Sequence, residues 1–287
     1  MNEQQVSAMV LADALNDRYE ESSQDIGRFN LAVFGPSGVG KSTLINAIFG
    51  YDVAETGVGE PVTKESRLYF HDDGQFGLLD TQGLELADTL DEILDALRAM
   101  IRDLRSQPIE DQVHVAWYCV AGSGRFQETD ERFVNALREL DLPVVFVMTK
   151  VPNSDGVPDE KAMVLADVIA DAGIEIVTGR PVLTNALGDD WTSDSVFGLE
   201  DLLHVTREAA PEGLEGAVVA AQKLDLEMKH ESARAAILKA LDRISTSGIT
   251  RAPVMQTWGY LLSEISIIYR VRKEASAQVL SRAIESL

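Results

Sequence analysis

At 287 residues, with 45% hydrophobic and 25% charged side chains, the chain is long enough for one large domain, or one domain with an appendage. A formal charge of −22 argues against a nucleic-acid or anionic-membrane partner for the chain as a whole. No apolar run reaches membrane-span length (Trp258–Tyr269 is short and broken by Glu264), no basic-then-apolar leader opens the chain, and one cysteine cannot form an internal disulfide, so a cytoplasmic location is expected.

Taken in order, residues 3–24 place Val6, Met9, Val10, Ala14 and Leu15 at amphipathic spacing, which predicts an N-terminal helix within 1–28. Phe29–Phe34 reads as an apolar strand, and Thr43–Phe49 has helical spacing up to Gly50. Tyr51–Lys64, rich in Gly, Pro and Thr, reads as a loop. Ser66–His71 and Gln75–Leu79 are two short strands around Asp72-Asp73-Gly74, a hairpin signal. Leu90–Leu104, Thr129–Leu140, Asp159–Ala172 and Leu199–Ala209 have helical periodicity, while Val113–Val120, Pro143–Met148 and Pro181–Leu183 read as strands. This alternation predicts an α/β fold, a doubly wound, mostly parallel sheet over 29–210. From 211 to 287 the strand signals stop, and two or three helices around 215–245 and 253–285 form a helical appendage. From His230 onward eight Lys/Arg face five Asp/Glu, a net of +3, leaving −25 on the preceding residues. That asymmetry fits a tail packed on an acidic body, a separate partner, or two solvated surfaces of different sign.

Gly35–Ser42 reads GPSGVGKS and satisfies G-x-x-x-x-G-K-[ST] at every fixed position, between a strand and a helix. Glycines at 35, 38 and 40 let the backbone turn tightly and present successive N–H groups to an anion, with Pro36, Ser37, Val39 and Thr43 completing the cradle. The helix opening near Lys41 aims its positive dipole end at the same spot. Lys41 is then placed to reach the outer phosphates of a triphosphate, and the Ser42 hydroxyl to ligate Mg²⁺. Asp80 ends a strand two strands later in Asp80-Thr81-Gln82-Gly83. Its carboxylate suits Mg²⁺, usually through water, and Gly83 can bring an N–H close to a γ-phosphate.

The order GPSGVGKST, a Thr-containing loop, DTQG, TKVP and TNAL across 29–190 resembles the G motifs of a TRAFAC-class GTPase of the Era/TrmE/septin-like branch. WYCVAGSGRF followed by PVVFVMTK, with SEISIIY in the tail, is similar to bacterial members carrying a C-terminal helical domain of unknown function. The resemblance implies GTP/GDP and Mg²⁺ as cofactors and hydrolysis of GTP as a slow molecular switch. It implies that Thr63, with Thr56 as rival, completes the Mg²⁺ shell and touches the γ-phosphate, making Lys41, Thr63 and Gly83 the catalytic set. It further implies that Thr149 and Lys150 flank the base, and that Asn185-Ala186 offers an N–H to guanine O6. A guanine nucleotide is the expected partner, with a protein partner or self-association through the switch loops or the helical tail. The tail also permits, without demanding, peripheral membrane contact.

Three positions depart from the family pattern. Leu84 stands where Ras-like enzymes orient water with glutamine, leaving Gln82, Glu85 or a partner's residue for that role. Gly38 stands where potassium-stimulated relatives carry asparagine, so no such stimulation is expected. Pro152 replaces the aspartate that accepts two hydrogen bonds from guanine, and Asp155 substitutes only if the loop folds back. Leu84 therefore keeps open a nucleotide-binding scaffold with little hydrolysis, and Pro152 a P-loop ATPase or kinase with relaxed base choice. Elsewhere the residues read as structural: Cys119 as a packed thiol, the histidines at 71, 114, 204 and 230 without metal spacing, Trp117, Trp191 and Trp258 as packing anchors, and Arg125 as a solvated loop cation.

Overall fold

The computed structural model describes residues 18–50, 68–71, 74–79, 89–188, 194–247, 251–271 and 275–276, without the side chains of 68–70, 247 and 251–255. Residues 18–26 are helical and lead into the first strand. Six of the described strands form one sheet: β1 (Phe29–Phe34), β2 (Leu68–Phe70), β3 (Phe76–Leu79), β4 (Val115–Ala121), β5 (Val144–Thr149) and β8 (Val182–Leu183). The spatial order is β2-β3-β1-β4-β5-β8, parallel throughout except for β2, which runs antiparallel to β3 at the edge. This is the expected doubly wound α/β sheet.

Strand alternation divides the core into two apolar layers. Leu31, Val33, Trp117, Cys119 and Val147 face α1 (Lys41–Phe49), α5 (Leu199–Ala209) and α6 (Glu215–Ala221). Ala32, Phe34, Tyr118, Val120 and Phe146 face α2 (Leu90–Leu104), α3 (Glu128–Arg138) and α4 (Glu160–Asp171). Because both faces are covered, β1, β4 and β5 are almost continuously apolar. Capping fixes where helices start. Thr89 and Glu92 form a reciprocal capping box on α2, and Gln127 and Asp130 do so on α3.

In the tail, the stretch around 215–245 forms two helices, α6 and α7 (Leu226–Ser247), within the two or three helices expected there, and the extent of the last helix is corrected. Gln222 and Asp225 break the stretch: the Asp225 N–H donates to Gln222 Oε1 (2.8 Å), and Asp225 Oδ1 accepts the Met228 N–H (2.8 Å) as the cap of α7. Residues 217–221 are all buried, so α6 lies in the apolar layer against β1 and β3. The second helix, expected over 253–285, is α8 (Arg251–Ile268) and stops at Arg270, which adopts a left-handed conformation (φ 56°). The Arg270 guanidinium donates to the terminal carbonyls Phe49 O (2.6 Å) and Ala221 O (3.2 Å), which offsets that backbone cost. Buried Lys229 similarly donates to Ala220 O and Ile268 O. Two cations thus gather the C-terminal ends of α1, α6 and α8. Among the described residues, no helix is long and apolar enough to cross a membrane.

A small hairpin after β5 was not expected: β6 (Asn153–Ser154) and β7 (Val157–Pro158), joined by Asp155-Gly156 with φ of 50° and 80°. Two consecutive positive φ values are the requirement of a type I′ turn, and Asp-Gly is its usual sequence.

Candidate nucleotide-binding site

The carboxyl ends of β1, β4, β5 and β8 open on one side of the sheet, where ligands bind in folds of this kind. The phosphate loop leaves β1 at Gly35. With φ 127°, a Cβ there would lie 2.1 Å from Cys119 O on β4, so only glycine fits. Gly38 (φ 77°) has no atom within 4 Å of its ideal Cβ, so its requirement is conformational rather than spatial. Gly40 (φ 105°) is the N-cap of α1 and supplies no side-chain acceptor. The first-turn amides therefore face the loop as an anion site, with no acidic residue in that turn. Pro36, Ser37, Gly38 and Ser42 are exposed on the rim, and Thr43 is half-buried.

Lys41 Nζ donates to Gly35 O (2.6 Å) and Pro36 O (3.1 Å), folding the ammonium across the mouth of the loop. Behind the loop, Thr149 Oγ1 lies 2.6 Å from Val39 O and 3.1 Å from Val120 O, one buried hydroxyl bridging loop and sheet. Lys150, left-handed at φ 51°, donates to Gly38 O (2.6 Å), and its alkyl chain runs past Gly40. Thr149 and Lys150 thus hold the phosphate loop from the end of β5, a role that motif spacing does not convey.

Asn185 and Ala186 sit beside that segment. Thr184 N–H donates to Met148 O (2.7 Å) and Val151 N–H to Thr184 O (3.1 Å), stitching 184–186 to the end of β5. Asn185 Oδ1 accepts the Leu187 N–H (3.2 Å), and Asn185 exchanges two backbone bonds of 3.1 Å with Phe197. Ala186 is half-buried. Asp155 is exposed at the turn of the β6–β7 hairpin. Instead, Asp194 Oδ1 accepts the backbone N–H of Asn153 (2.8 Å), directly after Pro152. Motif matching gave no signal for Asn153 or Asp194, which lie 41 residues apart and meet only through the fold.

Thr63, Asp80 and Gly83, with Thr56, Gln82, Leu84, Glu85 and Trp191, lie outside the described residues. The described part of the candidate site is therefore Gly35–Thr43, Thr149, Lys150, Asn185 and Ala186. Beside Phe34–Ser37 lies a cavity of about 410 Å³, walled by Leu90, Ile93, Tyr118 and Phe133. At its base, Asp130 accepts from Tyr118 Oη (2.7 Å), and burial raises the phenol far above its usual range.

Burial pushes the Cys119 thiol up to about 12, only partly opposed by Lys41, so it is a protonated packing group and not a nucleophile. Buried His114 accepts the Asn30 N–H at Nδ1 (3.0 Å) and its Nε2 meets Ile109 O (2.7 Å), as a neutral ring does. Among the described residues no His, Cys, Asp or Glu cluster is spaced to hold a metal. Trp117 is buried against Phe49 and donates to Thr206 Oγ1 (2.9 Å), Trp258 is partly exposed, and Arg125 is an exposed loop residue.

Residues 30–150 match the family model described as the 50S ribosome-binding GTPase. Over this segment the chain is similar to TRAFAC-class bacterial GTPases. The chain is 28% identical over 210 residues to GTPase Der of Cereibacter sphaeroides (strain ATCC 17025 / ATH 2.4.3), covering 71% of this chain and 38% of that protein. It is 30% identical over 125 residues to GTPase Era of Cronobacter sakazakii (strain ATCC BAA-894), covering 43% and 39%. The chain thus spans less than two fifths of the length of these curated relatives. Solved structures of translation elongation factor SelB from Methanococcus maripaludis, apo and with the GTP analogue GppNHp, superpose with a TM-score of 0.37 each. Their identities are 18% and 17%, covering 62% and 64% of this chain and 34% and 35% of theirs. The matched segment runs from β1 through Lys150 and so takes in the phosphate loop, Thr149 and Lys150.

Proposed function

We propose that the chain binds GTP with Mg²⁺ and hydrolyses it slowly to GDP and phosphate, working as a molecular switch. The observation that carries this reading is the uncapped start of α1 behind Gly35, Gly38 and Gly40, with Lys41 folded across it. Exchanging the Gly35 and Pro36 carbonyls for phosphate oxygens gives Lys41 a charged acceptor in place of neutral ones, a stronger hydrogen bond. Ser42, exposed in the first turn, offers the hard oxygen donor that Mg²⁺ requires, and Thr63 and Asp80 are assigned to the same shell. The ion, when bound with the nucleotide, neutralises phosphate charge. The chain's own part is positioning: backbone amides of 35–43 hold the phosphates, Gly83 senses the terminal one, and Thr149 and Lys150 brace the loop from the base side.

Leu84 favours a second reading, a nucleotide-gated scaffold whose partner, or a second copy, supplies the group that orients water. Single-turnover hydrolysis with enzyme in excess separates the two. Slow phosphate release that disappears in Lys41→Ala supports the switch with intrinsic chemistry. Saturable binding with a flat time course supports the scaffold. No binding at all contradicts both.

A further inference from the structure

We propose that the cavity between the first turns of α2 and α3 is a second binding site, built for a small organic cation with an apolar body. The cavity is about 410 Å³, within the range of small-molecule sites, and most of its wall is apolar. Phe34 and Tyr118 come from β1 and β4, Leu90 and Ile93 from α2, and Phe133 from α3. Gly35, Pro36 and Ser37 close one side, so the cavity and the phosphate loop share a wall.

One polar group is held in place among these apolar ones. Asp130 is buried (4% exposed) and lines the cavity. Its Oδ1 accepts from Tyr118 Oη (2.7 Å) and its Oδ2 from the Gln127 N–H (2.8 Å), which together fix the carboxylate in one orientation. Burial, with Asp130 beside it, holds the Tyr118 phenol far above its usual range, so the phenol stays a donor to that carboxylate. Both donors are neutral, and among the described residues no cation pairs with Asp130.

Three features select the sign of the ligand's charge. A carboxylate offers about four lone-pair positions, of which Tyr118 and Gln127 use two, so an ammonium or guanidinium N–H can be accepted at the others. The rings of Phe34 and Tyr118 lie 5.1 and 5.3 Å from that of Phe133, centroid to centroid, and aromatic faces attract cations and not anions. Across the lining segments 34–37, 90–93 and 129–133 the acids are Asp91, Glu92, Asp130 and Glu131, and the one base, Arg132, is already paired with Asp91. An anion entering here would meet that field, and a neutral molecule would leave the buried carboxylate without a counter-charge. The two sites thus take opposite charges across one wall.

The competing explanation is that Asp130 only caps α3. Titration of the full chain with phenethylammonium, followed by ligand-observed NMR, separates the two. Three controls run beside it: phenethyl alcohol (the ring without charge), phenylacetate (the opposite charge) and ethylammonium (the charge without a ring). No nucleotide is added, so the outcome is independent of the triphosphate reading. Ile93→Trp fills the cavity from a half-buried wall. Asp130→Asn removes the charge but keeps an acceptor for the Gln127 N–H, and thermal melting checks that both variants fold. The proposal expects saturable binding of phenethylammonium, about tenfold or more tighter than of phenethyl alcohol, with no detectable binding of phenylacetate or ethylammonium. It expects Ile93→Trp to abolish binding, and Asp130→Asn to bring the ammonium and the alcohol to within about twofold of each other. Should Asp130→Asn fail to fold, the four probes and Ile93→Trp still decide. A wild type that does not bind phenethylammonium saturably overturns the proposal. So does binding that ethylammonium matches or that Ile93→Trp leaves unchanged, since either places the cation on the acidic surface. An ammonium preference equal in wild type and Asp130→Asn leaves Asp130 as a cap alone, and overturns it too.

Discussion

The phosphate end and the base end of the proposed nucleotide site are built in opposite ways. The phosphate end is nine consecutive residues whose work is done mostly by backbone: positive φ at Gly35, Gly38 and Gly40, bare amides at the start of α1, and one lysine. The base end is gathered from Thr149–Asn153, Thr184–Ala186 and Asp194–Phe197, and is held by side-chain bonds across those gaps. Contiguous backbone geometry leaves a motif. A side-chain network between distant segments leaves only scattered polar residues.

The largest expected effect is on the phosphate end. Lys41→Ala removes a charge-assisted contact to at least two phosphate oxygens, at about 1.5–3 kcal/mol each, so triphosphate affinity should fall by roughly a hundredfold or more. The fold should persist, which circular dichroism checks against equilibrium binding. Next comes Gly35→Ala. Its Cβ would meet Cys119 O at 2.1 Å in a left-handed backbone, so strain and overpacking together should cost about 2–5 kcal/mol in urea unfolding. Gly38→Ala sharpens that point: with open space around it, only the φ preference is lost, at about 1 kcal/mol. Equal losses at 35 and 38 would break the distinction between space and conformation.

At the joint between the two ends, Thr149→Val keeps the shape but removes the hydroxyl that meets Val39 O and Val120 O. Stability should fall by about 1–2 kcal/mol, with a weaker grip on nucleotide because the loop loses its rear support. The smallest effect is one of pH, remote from the site. Burial holds the His114 imidazole below its usual value, so the unfolded chain takes up a proton first as pH drops. Stability should therefore decline as pH falls from about 6.5 toward 5, and that component should vanish in His114→Phe. A stability profile unaffected by the substitution would contradict it.

The same contrast governs what could be read from residues alone. β1, the phosphate loop and α1, the β2–β3 pair, Leu90–Leu104 and Leu199–Ala209 were legible because their signals are local: periodicity, glycine spacing, a capping Thr89. The β6–β7 hairpin was missed: Asp155-Gly156 is a turn signal, but the apolar alternation that usually flags strands is absent from two-residue arms. The break at Gln222–Asp225 and the stop at Arg270 were missed as well, because each depends on bonds to partners that periodicity ignores. Arg270 ends α8 by reaching Phe49, 221 residues away. Asp194 belongs to the same class, since nothing in TSDSVF announces that it will meet Asn153.

The most direct test of the central claim, that Gly35–Thr43 is a working triphosphate cradle, is isothermal titration of the folded full chain with GTP and Mg²⁺ beside Lys41→Ala. The account predicts a saturable exothermic isotherm for wild type and its loss in the variant. A folded wild-type sample that gives no heat with GTP, or a variant that binds as wild type does, contradicts it.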